Sequence, residues 1–159
     1  MPALPKRLIE GPDARLVFGG IVFEFRHRGG GHTPGDTLVW LPQSQVVFTG
    51  DIVYVDRLLA VLPVSSTRAW LEAFAALEQL GPKRVVPGHG RVTDLVAARG
   101  HTRAYLEALR AHMKRAVEQG IDISEAVKSF DAKPFLHLSN AAELNPGNAS
   151  RTYLEVERE

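Results

Sequence analysis

The sequence contains no cysteine, so neither disulfide bonds nor a thiolate metal site can form, which fits a reducing compartment. No apolar run approaches the roughly 18 residues of a membrane-spanning helix, and residues 1–10 lack the apolar core of a signal peptide. The 19 basic and 18 acidic side chains nearly balance, so nothing indicates nucleic acid or an anionic membrane as a partner. We therefore expect a cytoplasmic globular protein.

The length of 159 residues predicts a single domain, 1–159, because a chain of this size can bury about two-thirds of its unfolded surface. Residues 1–14 contain Pro2, Pro5 and Pro12 and are expected to form an irregular leader. The content of 45% hydrophobic and 23% charged residues is typical of a globular fold.

Three glycine-containing stretches follow short apolar runs, and each presents one side chain that can bind a metal. They are Gly-Gly-Gly-His-Thr-Pro-Gly-Asp at 29–36, with His32; Phe-Thr-Gly-Asp at 48–51, with Asp51; and Pro-Gly-His-Gly at 87–90, with His89. Glycine allows close backbone approach and Pro34 restricts the chain, so such loops can hold a side chain at a set angle. Each stretch alone has a structural explanation, but three in this order predict a shared metal site.

Two histidines and one carboxylate suffice for one zinc ion, which accepts such ligands at about 2.0–2.2 Å and keeps a position open for water in catalytic sites. Iron(II) or manganese would suit His32, Asp51 and His89 equally, so the ligand types do not select zinc. A bound metal lowers the pKa of its water towards about 7, which permits attack on a carbonyl carbon. Asp36 could either orient a metal ligand or accept backbone hydrogen bonds within its own loop, and the sequence does not choose between these roles.

Alternating apolar residues predict two hairpins. They are Arg15–Phe18 with Ile21–Arg26, joined at Gly19-Gly20, and Thr37–Leu41 with Gln45–Thr49. In the second hairpin Leu38 and Trp40 share one face, whereas Val39, Leu41 and Val47 make the opposite face apolar too. Strands that are apolar on both faces are usually covered on both sides.

A helix over Thr67–Leu80, capped by Ser66, separates the second hairpin from a short strand at Arg84–Val86. This order of strand, helix and strand predicts a crossover that places Asp51 and His89 at the same sheet edge, where ligands of open α/β sheets gather.

Three more helices are predicted further along the chain. They run from a cap at Thr93 to near Gly120, with a weak point at Gly100; from Asp122 to about Phe130; and from Asn148, after an Asn145-Pro146-Gly147 turn, to the end. Arg151 and Glu155 are spaced for an i,i+4 ion pair. His101 and His112, on the long helix, are predicted to be structural or solvated, and His137 to be a packing residue.

A long connection is expected at Asp51–Val64, with Tyr54, Asp56 and Arg57 near its start. Connections of this length often border a binding site. A surface loop with an incidental arginine is an interpretation that fits at least as well.

Together, His-Thr-Pro-Gly-Asp, Thr-Gly-Asp and Pro-Gly-His-Gly resemble the second half of the metallo-β-lactamase superfamily, which includes glyoxalase II-type thioesterases and many other hydrolases. The similarity runs from about Leu16 to the C-terminus. It implies an α/β (α+β) fold that is half of an αββα sandwich, with a mixed sheet of about five strands and helices on one face. It also implies that His32 binds a first metal, that His89 binds a second, and that Asp51 bridges them.

The family's other ligands come from a His-x-His-x-Asp-His motif in its first half. No two of the six histidines here are separated by a single residue, so the motif is missing from this sequence, and with it the N-terminal αβ half that would carry it. The resemblance therefore implies an incomplete site for two metals.

Two functions are expected from these observations. In the first, the protein is a metal-dependent hydrolase of a small-molecule ester, thioester or amide, with Asp51 in a catalytic role and the missing half supplied by a longer or a separate chain. In the second, it is a shortened, non-catalytic member that binds one metal or acts as a structural or binding module. Codons for His-x-His-x-Asp-His in frame upstream of Met1 would favour the first.

The apolar second face of the sheet also predicts a partner. Each large apolar side chain left in water forgoes about 1.5–3 kcal/mol of burial energy. Monomers rarely expose contiguous patches of this kind. We therefore expect this face to be covered by the N-terminal half that the resemblance implies or, without it, by a second copy in a homodimer packed sheet to sheet.

Overall fold

A five-stranded mixed sheet organises the chain in the computed structural model, which describes residues 9–159. The strands lie side by side in sequence order: β1 (Asp13–Phe18), β2 (Ile21–His27), β3 (Thr37–Leu41), β4 (Val46–Tyr54) and β5 (Arg84–His89). The first four strands are antiparallel to their neighbours, and β5 joins β4 in parallel. The predicted α/β class and the sheet of about five strands are confirmed.

The first hairpin forms as predicted, with Gly19 and Gly20 at φ +57° and +80°, the positive values that a type I′ turn requires. The irregular leader was predicted to extend to residue 14, but β1 already begins at Asp13, so the prediction is too long by two residues. Asp13 pairs in register with Arg26, and the Arg26 guanidinium donates a hydrogen bond to its carboxylate at 2.7 Å, which extends the strand. Residues 9–12 are irregular, and residues 1–8 of the leader lie outside the described residues.

Strand β4 continues past its predicted end at Thr49 and reaches Tyr54. Gly50 permits this, because its φ of +49° allows a bulge, and the register with β5 shifts on both sides of it. The expectation that a connection begins at Asp51 is therefore wrong. Asp51 lies within a strand, and the connection begins after Tyr54.

The sheet has two apolar faces, which we call the covered face and the open face. The covered face carries Leu38, Trp40, Val47 and Val85, none of which is more than 8% exposed. The open face carries the apolar residues Leu16, Phe18, Ile21, Phe23, Phe25, Val39, Leu41, Val46, Phe48 and Val86. The prediction of two apolar faces is confirmed, but its assignment of Val47 is wrong, because Val47 lies opposite Trp40 and shares its face.

Within residues 9–159, helices pack on the covered face only, as predicted. They are α1 (Thr67–Gln79), α2 (Leu95–Ala98), a π-helical segment (Arg99–Arg103), α3 (Ala104–Glu118), α4 (Ile123–Ser129) and α5 (Ala141–Val156), with a 3₁₀ turn at Lys133–Phe135. Helix α1 contacts β4, α2 contacts β5, and α5 packs against α3 and α4. No helix within residues 9–159 is both long and apolar enough to cross a membrane.

Two helix starts match their predicted caps, since Ser66 caps α1 and Asp122 caps α4. Thr93 does not cap the long helix, because its backbone pairs with β5 instead. Asp94 takes that role and accepts a hydrogen bond from the backbone three residues later. Gly100 lies in the π-helical segment, so the predicted weak point coincides with a distorted turn.

Helix α5 begins after Asn140 and runs through Pro146, where the sequence predicts a turn followed by a cap at Asn148. That prediction is wrong because Asn148 is buried and bonds to a distant segment. Its Oδ1 accepts from the backbone N–H of Val61 at 2.8 Å, and its Nδ2 donates to the carbonyl of Leu59 at 2.8 Å. These buried hydrogen bonds anchor a helix that proline weakens locally.

The ion pair expected between Arg151 and Glu155 is also replaced by longer-range contacts. Arg151 donates to the carbonyl of Val61 at 2.9 Å. Glu155 accepts from the Ser66 hydroxyl at 2.9 Å and from the Thr67 N–H at 2.9 Å. Glu155 therefore caps α1 from across the helical layer, where a carboxylate suits the positive end of the helix dipole.

Candidate metal site

The three predicted metal ligands meet at one edge of the sheet. Asp51 lies in the second half of β4, and His89 ends β5, where it pairs with Tyr54. His32 comes from the loop between β2 and β3. His32 Nε2 is 3.5 Å from Asp51 Oδ2, and His89 Nε2 is 3.6 Å from Asp51 Oδ1. The connection through α1 thus brings Asp51 and His89 to the same edge, as the sequence predicts.

Backbone bonds shape the loop that carries His32. Gly30 has a φ of +91°, and a Cβ there would lie 2.4 Å from the carbonyl oxygen of Thr33, so the loop requires glycine. The carboxylate of Asp36 accepts from the N–H of Thr33 at 2.9 Å and from its hydroxyl at 2.7 Å. Of the two roles open for Asp36, the structure therefore shows the loop-forming one.

The His32 ring is oriented by the connection that follows β4. Its Nδ1 lies 2.9 Å from the carbonyl oxygen of Ala60, which can only accept, so the neutral ring carries its proton on Nδ1. Nε2 is then free to act as a ligand, and it faces Asp51. The Ser65 hydroxyl donates to the His32 carbonyl at 2.6 Å. Metal-binding histidines usually donate a hydrogen bond from the ring nitrogen that does not bind the metal, as His32 Nδ1 does to the carbonyl of Ala60.

His89 approaches Asp51 from a more open side. The His89 side chain is 40% exposed, whereas that of His32 is 12% exposed. Gly88 makes the approach possible, because a Cβ there would lie 2.1 Å from Asp51 Oδ1. The His89 carbonyl accepts from the N–H of Val55 at 2.9 Å, which ties the end of β5 to β4. Asp51 is therefore held between a sheltered and an accessible imidazole.

The donor set fits a divalent metal, although the three side chains do not surround a common point. In a tetrahedral site with bonds of about 2.0–2.2 Å, neighbouring ligand atoms lie roughly 3.3–3.6 Å apart, and both histidine–carboxylate distances agree with this. Each histidine, however, faces a different oxygen of Asp51. Within residues 9–159, no three His, Asp or Glu side chains are gathered closely enough to enclose one ion. That His32, Asp51 and His89 bind one metal stays a prediction.

Two aromatic side chains line the site without having been assigned to it from the sequence. The Tyr54 ring stacks on His89 with centroids 4.7 Å apart, and Trp70 meets His32 edge-on at 5.5 Å. Burial, and then the negative charge of Asp51, raise the pKa of the Tyr54 hydroxyl, so it stays protonated. The helical period identifies Trp70 as a buried residue of α1, but no local signal places it beside a loop so distant in the chain.

The sequence predicts roles other than metal binding for three further histidines, His101, His112 and His137. His112 Nε2 is 2.9 Å from the carbonyl of Ala126, and His101 Nδ1 accepts from the N–H of Asp56 at 3.1 Å, so both are structural as predicted. His137 is exposed, with its ring against that of His101. Its predicted packing role is therefore wrong, because the segment that carries it lies on the surface.

Comparison with known families identifies the class of protein. The family model of the metallo-beta-lactamase superfamily (Lactamase_B) matches residues 5–89, which is more than half of the chain. The chain therefore belongs to the metallo-beta-lactamase superfamily, whose members usually bind metal ions. A search of curated proteins found no match.

Solved structures agree with this assignment. The metallo-beta-lactamase from Pontibacter korlensis is 31% identical over 60% of this chain and 46% of its own, with a TM-score of 0.55. The DIM-1 metallo-beta-lactamase is 30% identical over 64% of this chain and 48% of its own, with a TM-score of 0.56. The sec-alkylsulfatase Pisa1 from Pseudomonas sp. is 21% identical over 94% of this chain and 26% of its own, with a TM-score of 0.71, and shows the fold alone. The chain spans about half the length of the metallo-beta-lactamases that it matches.

Proposed function

We propose that this protein is a metal-dependent hydrolase of small-molecule esters, thioesters or amides, with His32, Asp51 and His89 as its metal ligands. The observation that carries the proposal is the approach of two imidazole Nε2 atoms to one carboxylate, at 3.5 and 3.6 Å. Membership of the metallo-beta-lactamase superfamily supports it. The structural likeness to metallo-beta-lactamases points the same way.

Each residue of the trio has a separate task in this function. In the neutral tautomer that donates from Nδ1 to the Ala60 carbonyl, His32 offers an Nε2 lone pair to a metal. Asp51 supplies the negative charge that a divalent cation requires, and His89 binds from the solvent side. A divalent ion held there, zinc or alternatively iron or manganese, would activate water for attack on a carbonyl carbon. Trp70 shields the inner side of His32 from bulk water.

Metal analysis tests the proposed ligands. We expect about one ion per chain in protein purified without chelator, and little in a His32→Ala/His89→Ala variant. The matched control is His137→Ala, which removes an exposed histidine outside the site and should leave the metal content unchanged. Equal metal content in the double variant and the parent chain would rule out this ligand set.

Hydrolysis is tested on a panel of one ester, one thioester and one amide, each with and without added zinc. We expect metal-dependent turnover of at least one of the three, which Asp51→Asn should abolish. Turnover that is unaffected by chelator, or by Asp51→Asn, would contradict a metal-dependent reaction at this site.

A non-catalytic family member is the second candidate function. It would bind one metal, or act as a structural or binding module. The arrangement of His32, Asp51 and His89, which do not surround a common point, favours it. Metal that is bound stoichiometrically without any turnover would support this candidate over the hydrolase.

A further inference from the structure

A cavity of about 630 Å³ lies between the connection that follows β4, the start of α1 and the end of α5. None of the three candidate metal ligands lines it. Sites that bind small molecules usually occupy about 300–1,000 Å³, so the cavity is large enough for a ligand of its own.

Three arginines line this cavity, and no carboxylate within residues 9–159 forms an ion pair with any of them. They are Arg68 in the first turn of α1, Arg151 in α5 and Arg158 just after α5. Arg151 donates to the carbonyl of Val61 at 2.9 Å, which holds its guanidinium against the wall formed by the connection.

The two carboxylates that line the cavity already have other partners. Glu155 accepts hydrogen bonds from the Ser66 hydroxyl at 2.9 Å and from the N–H and hydroxyl of Thr67 at 2.9 and 2.6 Å. The Glu159 carboxylate accepts two hydrogen bonds from Arg110, at 2.9 and 2.8 Å. The charges of the three arginines are therefore left for a ligand. The start of α1 is not the anion site, because Glu155 already occupies it.

Apolar side chains form another part of the cavity wall. Leu62 and Pro63 contribute from the connection, and Leu154 contributes from α5, where it is 39% exposed. Arginines beside apolar side chains favour a ligand that joins an anionic group to an apolar one.

The connection after β4 separates this cavity from the candidate metal site. The Ala60 carbonyl lies 2.9 Å from His32 Nδ1, and the Ser65 hydroxyl donates to the His32 carbonyl at 2.6 Å. Val61 and Leu62, between these two residues, line the cavity. A ligand in the cavity would therefore contact the segment that orients His32 without occupying the metal site.

We propose that this cavity is a second binding site, which takes a phosphate monoester that carries an apolar group. Guanidinium groups match phosphate oxygens with planar forks of donors. A phosphate monoester carries about 1.5 to 2 negative charges at pH 7, so it suits several arginines better than a carboxylate with a single charge does. The proposal does not rest on the hydrolase function, because such a ligand requires neither a metal nor a reaction.

Calorimetric titration of the full chain with benzylphosphonate, a stable analogue of such a monoester, tests the proposal. Inorganic phosphate lacks the apolar group, phenylacetate carries a single charge, and phenylacetamide is neutral. We expect saturable binding of benzylphosphonate and about ten-fold weaker binding, or less, of each of the other three. The proposal is overturned if benzylphosphonate does not bind, or if any of the other three binds equally well.

Substitutions of the exposed arginines provide the second measurement. Arg68→Gln/Arg158→Gln should weaken benzylphosphonate binding about ten-fold, and Arg68→Lys/Arg158→Lys should weaken it less because both charges remain. The control is Arg115→Gln/Lys128→Gln, which removes two exposed cations that do not line the cavity. A glutamine variant that binds as tightly as the parent chain, or an equal loss in the control, contradicts the proposal.

A third measurement separates the cavity from the candidate metal site, since a phosphonate can also bind a metal ion. Benzylphosphonate should bind with the same affinity after the protein has been treated with chelator. Binding that disappears with the metal would place the ligand on the metal and overturn the proposal for the cavity.

Discussion

The covered face and the open face of the sheet are built from similar residues but have different surroundings. Val47 on the covered face is fully buried under the helices, together with Phe74 of α1. On the open face Phe48 is 43% exposed and Phe18 is 75% exposed. Helices therefore enclose one apolar surface and leave an equally apolar one uncovered within the described chain.

The hairpin of β1 and β2 shows most clearly that this difference is built into the sequence. On its covered side, Arg26 forms ion pairs with Asp13 and Glu24, each at 2.7 Å. On its open side, the same strands present Phe23 and Phe25. The alternation thus places these ion pairs, beside Val17 and Val22, on the side of the helical layer and the two aromatic residues on the opposite side. A hairpin patterned in this way is suited to packing against something beyond its own helices.

The largest expected effect is a difference in stability between two variants, one at Phe74 under the covered face and one at Phe48 on the open face. Phe74→Ala should lower the free energy of unfolding by about 3–5 kcal/mol, because it leaves a cavity in an enclosed core. Phe48→Ala should cost less than about 1 kcal/mol in dilute protein, since its ring already contacts water. Urea denaturation of both variants measures the difference. Equal losses would show that the open face is as well enclosed as the covered one.

The second prediction concerns what covers the open face in the isolated 159-residue chain. We expect a homodimer packed sheet to sheet, so that light scattering at micromolar concentration reports about twice the mass of one chain. Phe48→Asp should return the mass to that of a single chain. Val96→Asp, at an exposed apolar position on α2, is the control and should remain dimeric. A parent chain that is monomeric at this concentration would contradict the dimer.

The third prediction examines how the covered layer is tied together. Glu155→Gln should lower the free energy of unfolding by about 1–3 kcal/mol, because the carboxylate accepts hydrogen bonds from Ser66 and Thr67 at the start of α1. Glu157→Gln is the control, because Glu157 is exposed and directly follows the same helix. Chemical denaturation of the two variants measures the effect, and similar stabilities would show that the cap contributes nothing.

The smallest expected effect is a pH dependence of the folding stability that arises from His101 in the helical layer. Burial lowers the pKa of His101 below its ordinary value of 6.5, and its Nδ1 can accept from the Asp56 N–H only when neutral. As the pH falls below 6.5, the unfolded chain binds a proton at His101 before the folded chain does, so stability decreases until the lower folded pKa is passed.

Denaturation midpoints between pH 7.5 and 5 measure this dependence. The slope should be smaller in His101→Gln than in the parent chain, whereas His137→Gln, at the exposed neighbouring ring, should change it less. A slope that His101→Gln leaves unaltered would assign the pH dependence to other groups.

Short-range patterns were sufficient for much of the fold. Alternation identified the strands, and Ser66 and Asp122 marked the starts of α1 and α4, because a cap acts on backbone groups two or three residues away. The predicted ends of strands and helices were wrong where contacts with a residue distant in the sequence decide where the element begins or ends. The start of β1 depends on Arg26, and the length of α5 depends on buried bonds from Asn148.

In the candidate site, too, local sequence signals identify some features and contacts between distant segments decide the others. His32, Asp51 and His89 could be found from the sequence, because glycine-rich stretches at strand ends carry their own local signal. Their mutual distances required the parallel pairing of β4 with β5. The carbonyl of Ala60 that orients His32 could not be found, because it comes from a connection without a periodic pattern.

The sequence by itself determined that the sheet would have two apolar faces, since side chains of a strand alternate and both sets are apolar. Only the tertiary structure decided which face the helices cover. Alternation defines two sides without saying which one packs inward, and a shift of one residue in register exchanges them. The pairing of Val47 with Trp40 settles that choice, which places Phe48 and its neighbours on the open side.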